Sequence, residues 1–347
     1  MALFDTADYD GHEHVSFFAD ERAGLRCIVA IHSTAPIGIS GGGCRMQPYQ
    51  DSQAALRDAL RLSRAMSYKL ALVGLPAGGA KAIILGDPAR DKSAPLLRAF
   101  GRVVERLGGR FIAGEDAGTT PADMRIIGEE TAYVVKGGAD TARATAEGVV
   151  LAMEVAVARR LGRTLDRVRV LVQGAGRVGF HVARELKKRG AEVIVADRDP
   201  RAVERAVAEL GVSSIAPADV FSADVDVLSP CALGDVLNAQ SIPKLRCSVV
   251  VGSANNQLKE DADADALVAR GILHCPDFVS SAGGVIGAAL DGAGGSAAAT
   301  AFLPRMSQLP ELTSKVFELA EKSGKSPHAA ALGLARERVA ELRRSSR

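Results

Sequence analysis

The sequence predicts an α/β protein of two domains, the second of them a doubly wound parallel sheet. Three observations lead there. Short apolar runs rich in β-branched residues alternate with amphipathic stretches along most of the chain. One such run, VRVLVQ at 168–173, passes directly into Gly174-Ala175-Gly176-Arg177-Val178-Gly179 and then into a helical pattern. At 347 residues, the chain is also long enough for two cores of ordinary size.

In order, residues 25–32 read as a strand, and a glycine-dense turn follows from Gly38 to Gly43. Residues 51–66 place Ala55, Leu56, Ala59, Leu60, Leu62 and Met66 near helical spacing, with Asp51 or Ser52 as the N-cap. A second glycine turn, Gly74 to Lys81, runs into a strand from Ala82 to Leu85. Residues 94–107 are helical, and a short strand from Arg110 to Ala113 ends at Gly114-Glu115-Asp116. Polar residues therefore gather just after strands, where ligands collect in α/β sheets. A helix from Ala146 to Leu161 leads into the second unit. There the strand 168–173 and its glycine turn are followed by a helix at 180–189 and a strand from Glu192 to Ala196, ending in Asp197. Further strands are expected at 225–228, 248–252 and 272–274, a loop or hinge at 291–296, and helix over 308–343.

Composition excludes several functions. A net charge of +2, spread along the chain, gives no phosphate-tracking surface for nucleic acid. The C-terminal Arg343, Arg344 and Arg347 read as a solvated helix end favoured by the dipole. Five cysteines without a CxxC pair suit neither a disulfide framework nor a zinc site, so no metal is expected. With no secretory signal and no apolar stretch of the ~18 to 20 residues a membrane helix needs, the expectation is a soluble protein of the cytoplasm with no membrane partner. His12-Glu13-His14 lacks metal-ligand spacing and reads as a surface segment, and His32, His181, His274 and His328 read as structural.

The glycine turn at 174–179 has the full context of a dinucleotide site. It follows a strand, opens a helix, and is answered by Asp197, 18 residues after Gly179. Gly174 permits the tight turn, Gly176 lets backbone approach a pyrophosphate, and Gly179 lets helix and strand pack closely. Asp197 is placed to accept bonds from the adenosine ribose hydroxyls, which favours NAD over NADP; Arg198 is the one residue that softens that preference.

In the first segment Lys69 and Lys81 flank Gly74-Leu75-Pro76-Ala77-Gly78-Gly79-Ala80. Lys69 ends a helix, an ordinary place for lysine. Lys81 enters the apolar run AIIL, where an ammonium is costly unless paired. Asp116 is either its natural carboxylate partner or an ordinary loop aspartate or helix cap.

Several stretches together resemble the glutamate, leucine, phenylalanine and valine dehydrogenases. They are Gly42-Gly43-Cys44-Arg45-Met46, Met66-Ser67-Tyr68-Lys69, Gly74 through Lys81, Gly114-Glu115-Asp116, Thr145-Ala146 with Gly148-Val149, Cys231-Ala232-Leu233-Gly234, Gly252 through Leu258, and Ala282-Gly283-Gly284-Val285. The match runs in order from about residue 25 to 290. It implies a substrate-binding and oligomerisation domain over 1–140, joined by the C-terminal helix 320–347, and a Rossmann NAD domain over 141–320, with the active site in the cleft between. By the resemblance Lys81 is the general base that activates water, Asp116 exchanges protons with the substrate amino group, and Lys69 binds the substrate carboxylate. Gly41, Gly42, Gly43, Met66, Gly114, Asn256, Val285 and Ala288 lie about the substrate. Thr145, Cys231, Ala232, Ala254, Asn255 and Asn256 join residues 174–179, Asp197 and Arg198 about the cofactor. The partners implied are a small-molecule substrate and further copies of the chain, and Cys44 and Cys231, lacking an adjacent histidine, take no catalytic thiol role.

The resemblance also bears on the substrate. Glutamate dehydrogenases carry a lysine where this chain has Gly41, and without that cation a second buried substrate carboxylate goes uncompensated. Gly41, Gly114 and Ala288 all remove side-chain volume from the expected pocket wall, which points to an aromatic side chain, with phenylalanine ahead of leucine or valine. Ala80 replaces a usual glycine and Ser281 a common asparagine. The rivals are glutamate oxidation and a non-enzymatic NAD-binding regulator.

Overall fold

The computed structural model describes residues 3–6, 8–135, 140–292 and 305–345. Its contacts divide the chain into two compact units, one of Met1–Ala139 with Ala335–Arg347 and the other running from Asp140 to Leu334 apart from a few residues after Leu290. The second unit begins at Asp140 and keeps the chain to Leu334.

The first unit is built on a five-stranded sheet. Its strands are β1 (His14–Asp20), β2 (Leu25–Ile31), β3 (Ser40–Gln47), β4 (Gly78–Leu85) and β5 (Phe111–Glu115), in the spatial order β1-β2-β4-β3-β5. β1, β2 and β4 pair antiparallel, whereas β3 runs parallel to both β4 and β5. Helix α1 (Ser52–Leu72) covers one face, where Ala55, Ala59, Leu60 and Leu62 meet Ile28, Ala30 and Ile83. Helices α2 (Ala94–Arg106) and α3 (Pro121–Ile127) cover the other, where Leu96, Phe100 and Ile127 meet Cys27, Cys44, Ala82 and Ile84. Asp51 is the N-cap of α1, its carboxylate accepting from the Ala54 N–H at 2.7 Å.

Two expectations fail here for one reason. The glycines at 41–43 lie inside β3, and β4 begins at Gly78, so Lys81 sits within a central strand rather than at its entrance. Glycine punctuation reads as a turn, but these glycines serve close backbone approach. A Cβ at Gly42 would lie 1.8 Å from Ala80 O, and one at Gly79 2.0 Å from the Ser67 nitrogen of α1. β1 and α3 carry no counterpart in the sequence reading, and α1 extends past Met66 to Leu72. His12 is buried, its Nε2 between Leu60 O at 3.1 Å and Ser63 Oγ at 3.0 Å, which corrects the surface assignment. Arg343 corrects another: it donates to His32 O at 2.8 Å instead of ending a solvated helix, while Arg347 lies outside the described residues. Arg338 also lends its guanidinium to the Leu72 carbonyl, one of the unpaired acceptors at the end of α1.

The second unit opens with α4 (Thr141–Leu161). Its six strands are all parallel: β6 (Arg169–Gln173), β7 (Glu192–Ala196), β8 (Ser213–Ser214), β9 (Val227–Pro230), β10 (Val249–Val250) and β11 (Leu273–His274). Their order, β11-β10-β9-β6-β7-β8, is 3-2-1-4-5-6 when counted within the unit and read from the other edge, the order of a doubly wound dinucleotide fold. Helices α5 (Arg177–Lys188), α6 (Pro200–Leu210) and α7 (Asp263–Ala269) connect the strands. Short α8 (Asp277–Ser280) and α9 (Gly283–Gly292) follow β11. Asp291 and Gly292 of the expected hinge end α9, and residues 293–296 lie outside the described residues. The helical stretch expected at 308–343 is two helices, α10 (Leu309–Ser323) and α11 (Pro327–Ser345), separated at Gly324 in the left-handed region. Among the described residues no helix is long and apolar enough to cross a membrane.

Candidate active site

Lys81 occupies the middle of β4, opposite Ala30 of β2, with 4% of its surface exposed. Alternation along the strand puts it on the α1 face with Gly79 and Ile83. An ammonium so buried requires a partner, and the parallel pairing of β3 with β5 provides it. Asp116, the first residue past β5, places Oδ2 2.7 Å from Lys81 Nζ. Asp116 is held in turn by its backbone N–H, which donates to Thr119 Oγ1 at 2.9 Å. Burial pushes the Lys81 ammonium below the ordinary lysine range; Asp116 opposes this and the nearby Arg45 charge adds to it. Burial alone would raise the Asp116 pKa, but Lys81 and Arg45 together hold its carboxyl well below the usual range.

The glycines of β3 leave the pair room. A Cβ at Gly43 would lie 2.8 Å from Asp116 Cβ and 3.2 Å from Lys81 Nζ, so only glycine fits beside them. By contrast, a Cβ at Gly41 would meet nothing within 4 Å, and one at Gly114 only Gly42 O at 3.8 Å. Lys69, in the last turn of α1, is buried like its neighbours Ser67, Tyr68 and Leu70. Tyr68 is fixed by donating to Asp10 Oδ2 at 2.7 Å. Met66 is half-buried one turn earlier, where Gly79 presses on the α1 backbone.

In the first unit, sequence reasoning missed Arg45. Its Nε donates to Asp116 Oδ2 at 2.8 Å and its Nη1 to Asp58 Oδ2 at 3.1 Å, and that oxygen also accepts from Tyr49 OH at 2.5 Å. The only signal for it is a charged residue on the inward face of a glycine-rich strand. Cys44, facing the other way, is fully buried, and burial raises its thiol far out of the reactive range.

In the second unit the glycine turn joins β6 to α5 as a dinucleotide cradle requires. Gly174 has φ +98°, and a Cβ at Gly179 would lie 1.8 Å from Gly174 O. Gly176 is the N-cap of α5 with no side-chain cap, and nothing would stand within 4 Å of its Cβ. An uncapped helix N-terminus with open space before it suits a pyrophosphate, so these residues fit the dinucleotide. Ala175 is buried, Val178 is half-buried, and Arg177 and Arg198 are exposed.

Asp197 does more than the sequence suggests. Its Oδ2 accepts from the Ala175 N–H at 2.7 Å and its Oδ1 from the Asp199 N–H at 2.9 Å, so it braces the glycine turn. Arg205, unforeseen, donates to Ala175 O at 3.1 Å and stacks 4.4 Å above the Phe180 ring. Cys231 follows β9, its N–H donating to Gln173 O at 2.7 Å, and Ala232 beside it crowds Gly174. Ala254 donates to Pro230 O at 2.9 Å, half-buried Asn255 follows it, and Asn256, at φ +52°, donates its N–H to Asp277 Oδ2 at 3.1 Å. Thr145 lies in α4 with its hydroxyl on Thr141 O at 2.7 Å, and a Cβ at Gly284 of α9 would come within 2.4 Å of it. Val285 and Ala288 are half-buried on α9. Among the described residues no cluster could hold a metal.

The fold and these two sets of residues define a class: a dehydrogenase of the α/β type, with a dinucleotide-binding unit and a second unit carrying a buried lysine–carboxylate pair. Comparison with known proteins narrows it. Residues 12–133 match the family model "Glu/Leu/Phe/Val dehydrogenase, dimerisation domain", and residues 137–203 and 196–346 match "Glutamate/Leucine/Phenylalanine/Valine dehydrogenase". Leucine dehydrogenase of Bacillus cereus is 40% identical over 352 positions, covering 99% of this chain and 95% of the relative. Phenylalanine dehydrogenase of Caldalkalibacillus thermarum is 39% identical, covering 94% and 91%. The crystal structure of L-tryptophan dehydrogenase from Nostoc punctiforme superposes with a TM-score of 0.78 at 39% identity, covering 96% of this chain and 97% of that one. The chain belongs to the Glu/Leu/Phe/Val dehydrogenase family, and is an oxidoreductase acting on the CH–NH2 group of an amino acid.

Proposed function

We propose that the chain oxidatively deaminates a hydrophobic L-amino acid, an aromatic one ahead of leucine or valine, to the 2-oxo acid and ammonia with NAD, and runs the reverse reductive amination. The observation that carries the reading is the buried Lys81–Asp116 contact of 2.7 Å in the middle of a sheet. Such a pair has no structural need that two apolar residues would not meet as well.

Residues 174–179 would hold NAD, with Asp197 and Arg198 at its ribose and residues 231–232 and 254–256 nearby, and the bound cofactor would supply the acceptor for the hydride of the substrate Cα. Lys69 neutralises the substrate carboxylate. Oxidation leaves an iminium carbon. Lys81, in the neutral form that its burial favours, takes a proton from water as the water oxygen bonds to that carbon. Asp116 accepts a hydrogen bond from the nitrogen. As Lys81 and Asp116 are coupled, the proton held between them can pass to the nitrogen; as the C–N bond breaks and ammonia leaves, Lys81, neutral again, takes the hydroxyl proton and the carbonyl of the 2-oxo acid forms. Asn256, with its backbone held by Asp277, orients the substrate.

The substrate preference rests on Gly41 and Gly114, whose missing side chains leave space, and on the small side chain of Ala288 in the other unit. No cation stands at position 41 to receive a second carboxylate, which disfavours glutamate. Five free cysteines suit a reducing cytoplasm, and a dimerisation domain suits a homo-oligomer. NADH absorbance across phenylalanine, tryptophan, leucine, valine and glutamate, each with NAD and NADP, tests the activity and the substrate and cofactor preferences. Turnover with aromatic amino acids and NAD is expected; strong preference for valine would remove the pocket argument, and NAD binding without any turnover would favour a regulator.

A further inference from the structure

The α1 face around Lys81 holds a second cation for which the proposed reaction has no use. Arg45 is fixed on both sides: Nε on Asp116 Oδ2 at 2.8 Å and Nη1 on Asp58 Oδ2 at 3.1 Å, with Tyr49 OH closing on that same Asp58 oxygen. Only 16% of its side chain is exposed. Both cations meet Asp116 on Oδ2, and among the described residues none pairs with Oδ1.

A base must alternate between charged and neutral forms. Each time Lys81 is neutral, Asp116 loses one buried ionic partner, and an unpaired buried carboxylate is expensive. A guanidinium never releases its proton under these conditions, and its planar fork can hold two carboxylates at once. We propose that Arg45, braced by Asp58 and Tyr49, is a positioning residue for the deamination, pinning Asp116 by Oδ2 throughout the cycle and so keeping Oδ1 for the substrate amino group. This rests on the reading of Lys81 and Asp116 given above. Arg45 also acts on the base: its fixed charge disfavours a second cation at Lys81. Tyr49, from the segment after β3, and Asp58, from α1, are further titratable groups close to the pair on this face, while the Cys44 thiol of β3 lies on the opposite face of the sheet.

The test measures oxidation of L-phenylalanine and L-leucine with NAD by the full chain and by Arg45→Gln, Arg45→Lys and Tyr49→Phe, from pH 7 to 11, with melting temperatures alongside. For Arg45→Gln, kcat is expected to fall about 10- to 100-fold with a smaller change in KM. The acid limb of kcat/KM is expected to move about one unit to higher pH, because loss of a neighbouring cation favours protonated Lys81. Arg45→Lys should restore the position of the limb while recovering only part of kcat, and Tyr49→Phe should lower kcat without moving the limb. An Arg45→Gln protein with unchanged kcat and an unmoved limb overturns the proposal, as does a loss of activity that tracks melting temperature in all three variants with the limb unmoved. An unaltered chain that oxidises no amino acid overturns the functional reading and the proposal together, which separates that failure from the first.

Discussion

A lysine in the centre of a sheet is the residue on which the proposed chemistry depends. Replacing Lys81 by Met removes a charge that already sits in an apolar strand, so the sheet should survive while the proposed base is lost. Amino-acid oxidation is expected to fall about 10²- to 10⁴-fold, with NADH binding retained. The fluorescence of NADH itself reports that binding. For the unaltered chain, kcat/KM should rise with pH through an apparent pKa below that of an ordinary lysine, since burial penalises the ammonium. A limb at or above the ordinary value of about 10.4 would contradict this. Lys81 is legible in the sequence because a charge entering an apolar run is conspicuous, whereas Asp116 stands apart from an ordinary loop aspartate only through the family resemblance. Arg45 is not legible: its two carboxylates lie 13 and 71 positions away, and only the pairing of β3 with β5 and the packing of α1 bring them to it.

The same contrast holds at the scale of elements. β6, the glycine turn and α5 follow one another in contiguous sequence, so their geometry is readable from local residue order alone. β3 resembles a turn because three successive glycines erase the alternation by which strands are recognised. β1 is hard to see because only its partner β2 is buried throughout most of its length. The glycines of these elements differ in what they tolerate. Gly43→Ala puts a methyl 2.8 Å from Asp116 Cβ; it should cost ~1–3 kcal/mol and lower kcat markedly. Gly41→Ala meets nothing and should leave melting unchanged while shifting preference among amino acids. Gly179→Ala drives a methyl to 1.8 Å from Gly174 O and should weaken NADH binding more than it lowers melting of the first unit. Equal behaviour of Gly41→Ala and Gly43→Ala in both melting and turnover would refute this account of β3.

For the whole molecule, buried histidines set the response to acid. Burial brings His32 and His274 down to about 3, one in each unit. Between that value and the ordinary ~6.5, the unfolded chain binds protons that the folded chain refuses. Stability should therefore decline as pH falls below about 6.5, by up to ~1.4 kcal/mol per pH unit for each histidine. His12, His14 and His181 are shifted in the same direction. Melting temperatures from pH 7 to 5 should fall for the unaltered chain and fall less steeply for His274→Gln; identical slopes would show that the histidine titrates freely when folded. Finally, the glycine ladder of β3 and β5 divides the scaffold into frozen and plastic sites. Positions 42 and 43 are closed to any side chain by backbone and by the ion pair, whereas 41 and 114 can accept a methyl group without displacing a neighbour. Retargeting by drift or by a breeder's library can therefore proceed one codon at a time at those two places while the chemical machinery beside them stays untouched.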